Sequence, residues 1–459
     1  MQLFNKYKSF FKKIIQLSYP IVIGQLGIVL MGTADVIMVG KLESINLAAV
    51  SLANSIYFVI CILGIGTLSA VSPLVAQSKG AEKPADAAIL FKQAIVAAGI
   101  LSIFICGIVY VLTQNLHWFG QSEKLIALTK NYLHLLNLGT LPLLIFIAIK
   151  QYSDGLGFTK VSAVLTLIAL GINIILNWIL IYGNWGAPAL GLYGTGLATT
   201  ISRVFMGIAI YFYVKKAAIY KPYLQEKSKE KEGQFLIQIF NIGFPSGLQY
   251  FFEVGAFAFA AIMIGWISES AMAAHQVAIS IASITYMLAT GISAGGSILV
   301  GDAVGRKNQQ DLQDAGRAAI LLGASFMGCC ALLIAGFAPF ILAFYTNDKV
   351  VIDMAQKLLY IAAFFQLSDG IQCVSLGVLR GIGDTKIPTV ITIISYWVIG
   401  IPLGYYLCFQ LNWSLYGVWW ALLFGLTFSA VFLSIRFLRE SKNINVAELD
   451  LTEFNLHAH

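Results

Sequence analysis

Twelve apolar runs, each long enough to supply the ~20 residues that carry a helix across a bilayer, succeed one another along the chain. They lie at roughly 14–40, 48–77, 88–113, 127–149, 161–182, 190–214, 235–265, 271–301, 315–343, 352–379, 387–411 and 414–438. Two polar stretches are long: 215–234, rich in Lys and Glu, and the segment from residue 439 onward. The first divides the runs six and six. A soluble alternative fails on charge. Of 459 residues, 11% are charged and 58% hydrophobic, where soluble domains carry about 25% charged residues. The chain therefore reads as an all-α polytopic membrane protein with twelve transmembrane helices. Its parts are an N-terminal half over 1–214, a cytoplasmic linker over 215–234, a C-terminal half over 235–438 and a cytoplasmic tail over 439–459. The basic, then apolar N-terminus lacks a small-residue cleavage site and reads as a retained first span.

Lys and Arg fix the orientation, because cytoplasmic loops carry the excess. With the N-terminus inside, 23 of them fall on inner segments and 5 (Lys41, Lys124, Lys130, Lys349, Lys357) on outer ones, leaving Arg203 within a span. Both termini are expected in the cytoplasm.

The two halves repeat at an offset of about 225 residues. LAAVSLANSI (47–56) meets MAAHQVAISI (272–281), and Gly66, Ser72, Val75 and Gly80 fall on Gly291, Ser297, Val300 and Gly305. GLGFTK (155–160) meets GIGDTK (381–386), and Leu192-Tyr193-Gly194 meets Leu415-Tyr416-Gly417. Six spans is an even number, so the halves enter the membrane in the same direction as parallel repeats. Transporters built in this way hold substrate at the repeat interface and rock about it. Duplication alone would also make a larger bundle or a channel, but a channel does not require a buried acid in each half.

Three acids lie deep in apolar runs: Asp35, Glu253 and Asp369. A carboxylate there is costly unless it is paired, protonated or facing water, so each suits a proton or a cation. A buried salt bridge is the plain structural alternative. It lacks partners, because Arg203 is the base that lies well inside a span. Arg203 is expected, on a narrow balance, to pair with Asp35. Asn173 and Asn177 are four apart and share a helix face, and Thr199 lies in the next span. Beside Asp35 their oxygens suit a hard cation or a proton-linked network, though two Asn in an apolar helix serve equally as interhelical glue. Phe365 shares a face with Asp369, four residues on. His275 is more readily a hydrogen-bonded structural residue than a ligand. The aromatic share, 13% with 9 Met, suits flat lipophilic cations, although most such rings face lipid or pack helices.

The six cysteines lie in apolar stretches without CxxC or zinc spacing and read as buried hydrophobes. The sequence carries no GxxxxGK[ST], TVGYG or HExxH, so neither ATP binding in a P-loop, a potassium filter nor zinc hydrolysis is indicated. No cofactor, nucleic acid or ATPase partner is called for. Energy is expected from an ion gradient or from the substrate's own gradient.

ADVIMVGKL after a proline-containing first span, SPLVAQSKGA closing the second, AAHQVA opening the eighth and LRGIGDTKIP between the tenth and eleventh resemble the multidrug and toxic compound extrusion (MATE) family. INIILNWILIYG followed by GAPALGLYGTGLAT is similar to its bacterial NorM branch. The resemblance runs over all twelve spans. It implies a V-shaped pair of six-helix lobes in a bacterial inner membrane. Such a protein exports amphipathic organic cations against Na+ or H+; a monomer in the lipid bilayer is expected. It also implies an N-lobe proton, cation and drug site at Asp35, Asn173, Asn177 and Thr199. The C-lobe cation site would be Glu253 and Asp369 with Phe365, these acids holding Na+ if the coupling is to sodium. Two residues depart from the family pattern. Phe365 replaces a common Tyr, and Arg203 stands where an uncharged residue is usual, which makes it, like His275, an accessory candidate. A flippase of lipid-linked oligosaccharides shares the fold but calls for a cavity lined with Arg and Lys. A membrane-embedded transferase calls for an Asp-rich metal motif or a long reactive loop, and neither is present.

Overall fold

A computed structural model describes residues 2–224, 232–346 and 348–444; part of the expected linker (225–231) and of the tail (445–459) lies outside the described residues. Long helices occupy nearly all of it, with no strand among the described residues. In chain order they are α1 (Gln2–Val39), α2 (Ser44–Leu68), α3 (Val71–Gly80), α4 (Pro84–Gln114), α5 (Glu123–Leu138), α6 (Thr140–Gly155), α7 (Thr159–Tyr182) and α8 (Leu192–Lys216). After the linker come α9 (Glu232–Gly265), α10 (Glu269–Gly305), α11 (Gln309–Ala343), α12 (Lys349–Gly381), α13 (Lys386–Ile393), α14 (Ile401–Tyr405) and α15 (Ser414–Asn443). Among the described residues, eleven helical runs are long and apolar enough to cross a membrane, and α5 with α6, bent by 42°, makes the twelfth. The helix faces separate cleanly: Phe364 is 68% exposed and its neighbour Phe365 2%, as a lipid-facing and an inward-facing ring should be.

The bend in the fourth span has a local cause. Pro142 has no N–H to offer to the carbonyl of Leu138, one helical turn back, and Gly139 sits at the junction. Side chains of α8 brace the end of α5: Thr200 Oγ1 donates to Leu135 O at 2.7 Å and Arg203 Nη1 to Leu136 O at 3.3 Å, carbonyls that also accept from Gly139 N.

Residues 23–247 form one compact unit, and residues 1–22 with 248–459 another. Each division falls inside a helix, and Val22 and Gly247 are themselves one repeat apart. Each lies two residues past a helix-internal proline, Pro20 or Pro245, where one rung of the backbone ladder is missing. The start of α1 packs with the second unit: a Cβ on Gly291 would meet Val22 Cγ2 at 2.3 Å. In the first unit a Cβ on Gly247 would meet Leu63 O at 2.5 Å. The first core gathers around Tyr57, Phe146 and Tyr152; the second unit has one cluster around Trp419, Tyr396 and Phe365 and another around Ile14, Val378 and Phe437.

The repeat is legible in the packing. Gly155 leaves room for the Ser72 carbonyl, which an added Cβ would meet at 2.5 Å, and Gly381 does the same for Ser297 at 2.8 Å. Both helices then end in the same way. Gly157 (φ 85°) and Gly383 (φ 79°) take the left-handed conformation that glycine adopts without strain. Gly157 N donates to Asp154 O and Phe158 N to Ser153 O; Gly383 N donates to Arg380 O and Asp384 N to Leu379 O. Asp384 in the second turn accepts from Arg436 Nε at 2.5 Å. Burial raises its carboxyl above the usual range, and Arg436 opposes the rise.

Candidate functional site

In the first unit, α1 carries Asp35 to the polar face of α7. Asn177 Nδ2 donates to Asp35 Oδ1 at 2.6 Å, Asn173 Nδ2 to the same oxygen at 3.2 Å, and Thr199 Oγ1 from α8 to Oδ2 at 2.6 Å. The i, i+4 spacing on α7 also lets Asn177 Nδ2 reach Asn173 Oδ1 at 3.1 Å. Close approach of α7 and α8 makes the cluster possible, because Gly194 leaves the Leu180 carbonyl the space a Cβ would fill at 2.5 Å. All four side chains are buried. The Asn177 Oδ1 atom, part of an amide held against the carboxylate, is buried and accepts no hydrogen bond among the described residues.

Asp35 faces a cavity of about 580 Å³, which Thr199, Arg203, Tyr57 and Met31 also line. Arg203 does not form the expected ion pair with Asp35. Its Nη1 donates to the Tyr57 hydroxyl at 2.9 Å and to Leu136 O, and its guanidinium lies over the Tyr57 ring, 4.9 Å from the centroid. The Tyr57 hydroxyl also shares a hydrogen bond with Thr140 Oγ1 at 3.0 Å. The bend between α5 and α6 supplies both the carbonyl and this threonine, so Arg203 is drawn to the bend and away from the acid. Two other bases within the helices are more deeply buried than the half-buried Arg203. Lys150 pairs with Asp154 at 2.7 Å with both side chains buried, and Arg380 is buried over the Tyr250 ring. Proximity to helix ends places both among loop residues in a reading of sequence.

In the second unit, Glu253 on α9 is held from three helices. Gln249 Nε2, one turn earlier, donates to Oε2 at 3.1 Å; Tyr286 OH on α10 donates to Oε1 at 3.4 Å; and Gln372 Nε2 on α12 reaches Oε1 at 3.5 Å. Gln372 Nε2 also donates to Tyr396 OH at 3.0 Å. Tyr396 lies in a wider-wound π segment, Ile394–Gly400, between α13 and α14. Asp369 is buried, forms no side-chain hydrogen bond among the described residues, and has Glu253 as its electrostatic neighbour. Phe365 packs against Phe257 and Trp419 with ring centroids 6.0 and 5.9 Å away. His275 Nδ1 accepts from Trp419 Nε1 at 3.1 Å. Gln249, Tyr286, Gln372 and Tyr396 are absent from the sequence reading. The first and third were within reach, as polar residues one turn from Glu253 and three residues from Asp369. No group of three or more His, Cys, Asp or Glu side chains converges among the described residues.

Carboxyl groups buried among amides and hydroxyls in membrane-spanning helices, with a cavity beside one of them in the first unit, are the features of a multi-pass membrane transporter. The MatE family model matches residues 20–179 and 245–406. The chain is 34% identical over 438 residues to the multidrug resistance protein NorM of Vibrio vulnificus (strain CMCP6), covering 94% of this chain and 96% of that one. It is 33% identical to the protein of the same name from Vibrio cholerae serotype O1, covering 97% and 99%. Among solved structures it resembles the eukaryotic MATE transporter AtDTX14 (TM-score 0.85, 17% identity, 98% of each chain). It also resembles the Vibrio cholerae MATE transporter VcmN in its bent form (TM-score 0.84, 18% identity, 95% of this chain and 98% of that one). The chain belongs to the MATE family of multidrug transporters and resembles its NorM members.

Proposed function

We propose that the protein is a secondary active multidrug exporter, antiporting amphipathic, mostly cationic organic compounds against Na+ or H+ by alternating access. It works as a monomer in a bacterial cytoplasmic membrane, with both termini inside. Its N-lobe (1–214) and C-lobe (235–438) are joined by the linker 215–234, and it needs no ATPase. The observation that carries the reading is the Asp35 cluster. A buried carboxylate takes three donors, yet the amide that binds it most closely keeps an acceptor oxygen, Asn177 Oδ1, without a donor among the described residues. A proton or cation arriving at Asp35 meets that vacant acceptor, so loading changes the cluster's hydrogen bonds and with them the cavity wall. The C-lobe acids Glu253 and Asp369 offer hard oxygen ligands, with amide and phenol groups beside them, to Na+ or to a proton.

The test is ethidium efflux from proteoliposomes with sodium and pH gradients imposed separately. Efflux driven by one gradient supports antiport and names the ion; folded protein that moves no ethidium under either gradient overturns the reading.

A further inference from the structure

Arg203 lines the N-lobe cavity as a cation with no carboxylate partner among the described residues. Among the described residues it forms no salt bridge, and the two hydrogen bonds it makes both use Nη1. The N–H groups of Nε and Nη2 form none there. A base held inside a membrane span is costly, and such residues mark substrate or ion paths. This one is also rigidly seated. The Tyr57 hydroxyl and the Leu136 carbonyl fix Nη1, the Tyr57 ring lies beneath the guanidinium, and Gly139 supplies room that a Cβ would close at 3.0 Å from Arg203 Cδ. What remains open is a planar fork of donors matched in shape to a carboxylate.

The opposite charge is one helical turn away. Thr199, which donates to Asp35, and Arg203 are four residues apart on α8, about 6 Å along its axis. The wall of a single cavity of about 580 Å³ thus displays a carboxylate and a guanidinium side by side, with Met31, Met206 and Leu143 as its apolar surface. A substrate bearing positive charge alone gains from Asp35 and is repelled by Arg203. One that also carries a carboxylate satisfies both.

We propose that Arg203 is a specificity residue that binds the carboxylate of zwitterionic amphipaths in the N-lobe cavity. This deepens the export reading and rests on it. Rhodamine B, an aromatic cation with a free carboxylate, and its ethyl ester differ at the group in question. Their binding to the purified full-length protein is followed by fluorescence polarisation. Wild type should bind rhodamine B more tightly than the ester. Arg203→Gln should weaken rhodamine B about tenfold and leave the ester unchanged or tighter, while Arg203→Lys, which keeps the charge and loses the fork, should fall between. Ester binding as tight as acid binding in wild type, or a ratio unchanged in Arg203→Gln, overturns the proposal. If Arg203→Gln does not yield a monodisperse protein, the wild-type ratio and Arg203→Lys decide alone. Failure of wild type to bind either dye overturns the export reading as well, whereas equal binding of both overturns this proposal only.

Discussion

Arg203 Nη1 lies 2.9 Å from the Tyr57 hydroxyl, so the guanidinium of α8 is tied to α2 and to the bend of the fourth span and not to the carboxylate of α1. Hydrogen bonds to charged groups contribute about 1.5–3 kcal/mol each, and a buried polar atom left without a partner costs a comparable amount. The bend and the arginine therefore support one another. The bend places the Leu136 carbonyl beside Arg203 and Thr140 against Tyr57, and the arginine adds a second donor to a carbonyl that already accepts from Gly139 N.

Tyr57→Phe removes the acceptor of that bond and should lower thermal stability by about 1–3 kcal/mol. Combined with Arg203→Gln, the loss should fall short of the sum of the two single losses by about 1 kcal/mol, because the residues share one interaction. The Asp35→Asn and Arg203→Gln pair should couple more weakly. Melting curves of the purified variants test this, and stronger coupling of Arg203 to Asp35 than to Tyr57 would contradict the geometry.

Glu253→Gln and Asp369→Asn should each abolish gradient-driven efflux while leaving a folded, membrane-inserted protein, since under the proposed antiport each removes a charge that would bind the coupling ion. Gln249→Leu and Gln372→Leu, which strip the amides that orient Glu253, should weaken ion affinity by about 10–100-fold, the usual loss when a ligand's supporting hydrogen bond is removed. Initial efflux rates against ion concentration read both effects. Wild-type rates at equal expression in Glu253→Gln or Asp369→Asn would make those acids structural.

Asp35→Asn preserves the shape of the N-lobe cluster and deletes its proton-binding group. Drug affinity in this variant should depend little on pH, whereas the wild type should bind more weakly as the medium is acidified. Binding isotherms at a series of pH values check the expectation. An isotherm series as steep in pH as that of wild type would place the proton-sensitive group elsewhere.

The parts of these sites that were legible in the sequence are those that helical geometry alone connects. Asn173 and Asn177 announce a shared face by their spacing, and Asp35, Glu253 and Asp369 stand out because carboxylates are scarce in apolar runs. The partner of Arg203 was not legible, since choosing between Tyr57 and Asp35 requires the distances of α1 and α2 from α8. Tyr396 was hidden for another reason. It lies in a π segment, where the widened turn shifts side chains off the 3.6-residue phase by which its inward direction would have been read. Lys150 and Arg380 were counted with the loops because nearness to a span end says nothing of burial, which here comes from Asp154 and from the Tyr250 ring.

Gly155 and Gly381, one from each half, offer a test of whether the repeat extends to energetics. Each faces a backbone carbonyl, Ser72 O or Ser297 O, at a distance that a Cβ would reduce to 2.5 or 2.8 Å. A side chain in that position could rotate aside, but a carbonyl held in a helix moves only with its helix. Overpacking of this kind costs about 1–3 kcal/mol. Gly155→Ala and Gly381→Ala should therefore destabilise the protein by similar amounts and by the same contact. Gly171 lies inside α7 with nothing within 4 Å of an added Cβ, so Gly171→Ala should instead stabilise by about 0.5–1 kcal/mol through the entropy that glycine loses on folding. Melting temperatures of the three variants separate the two effects. Equal shifts of one sign in all three would show that the close approach to Ser72 and Ser297 carries no energetic weight.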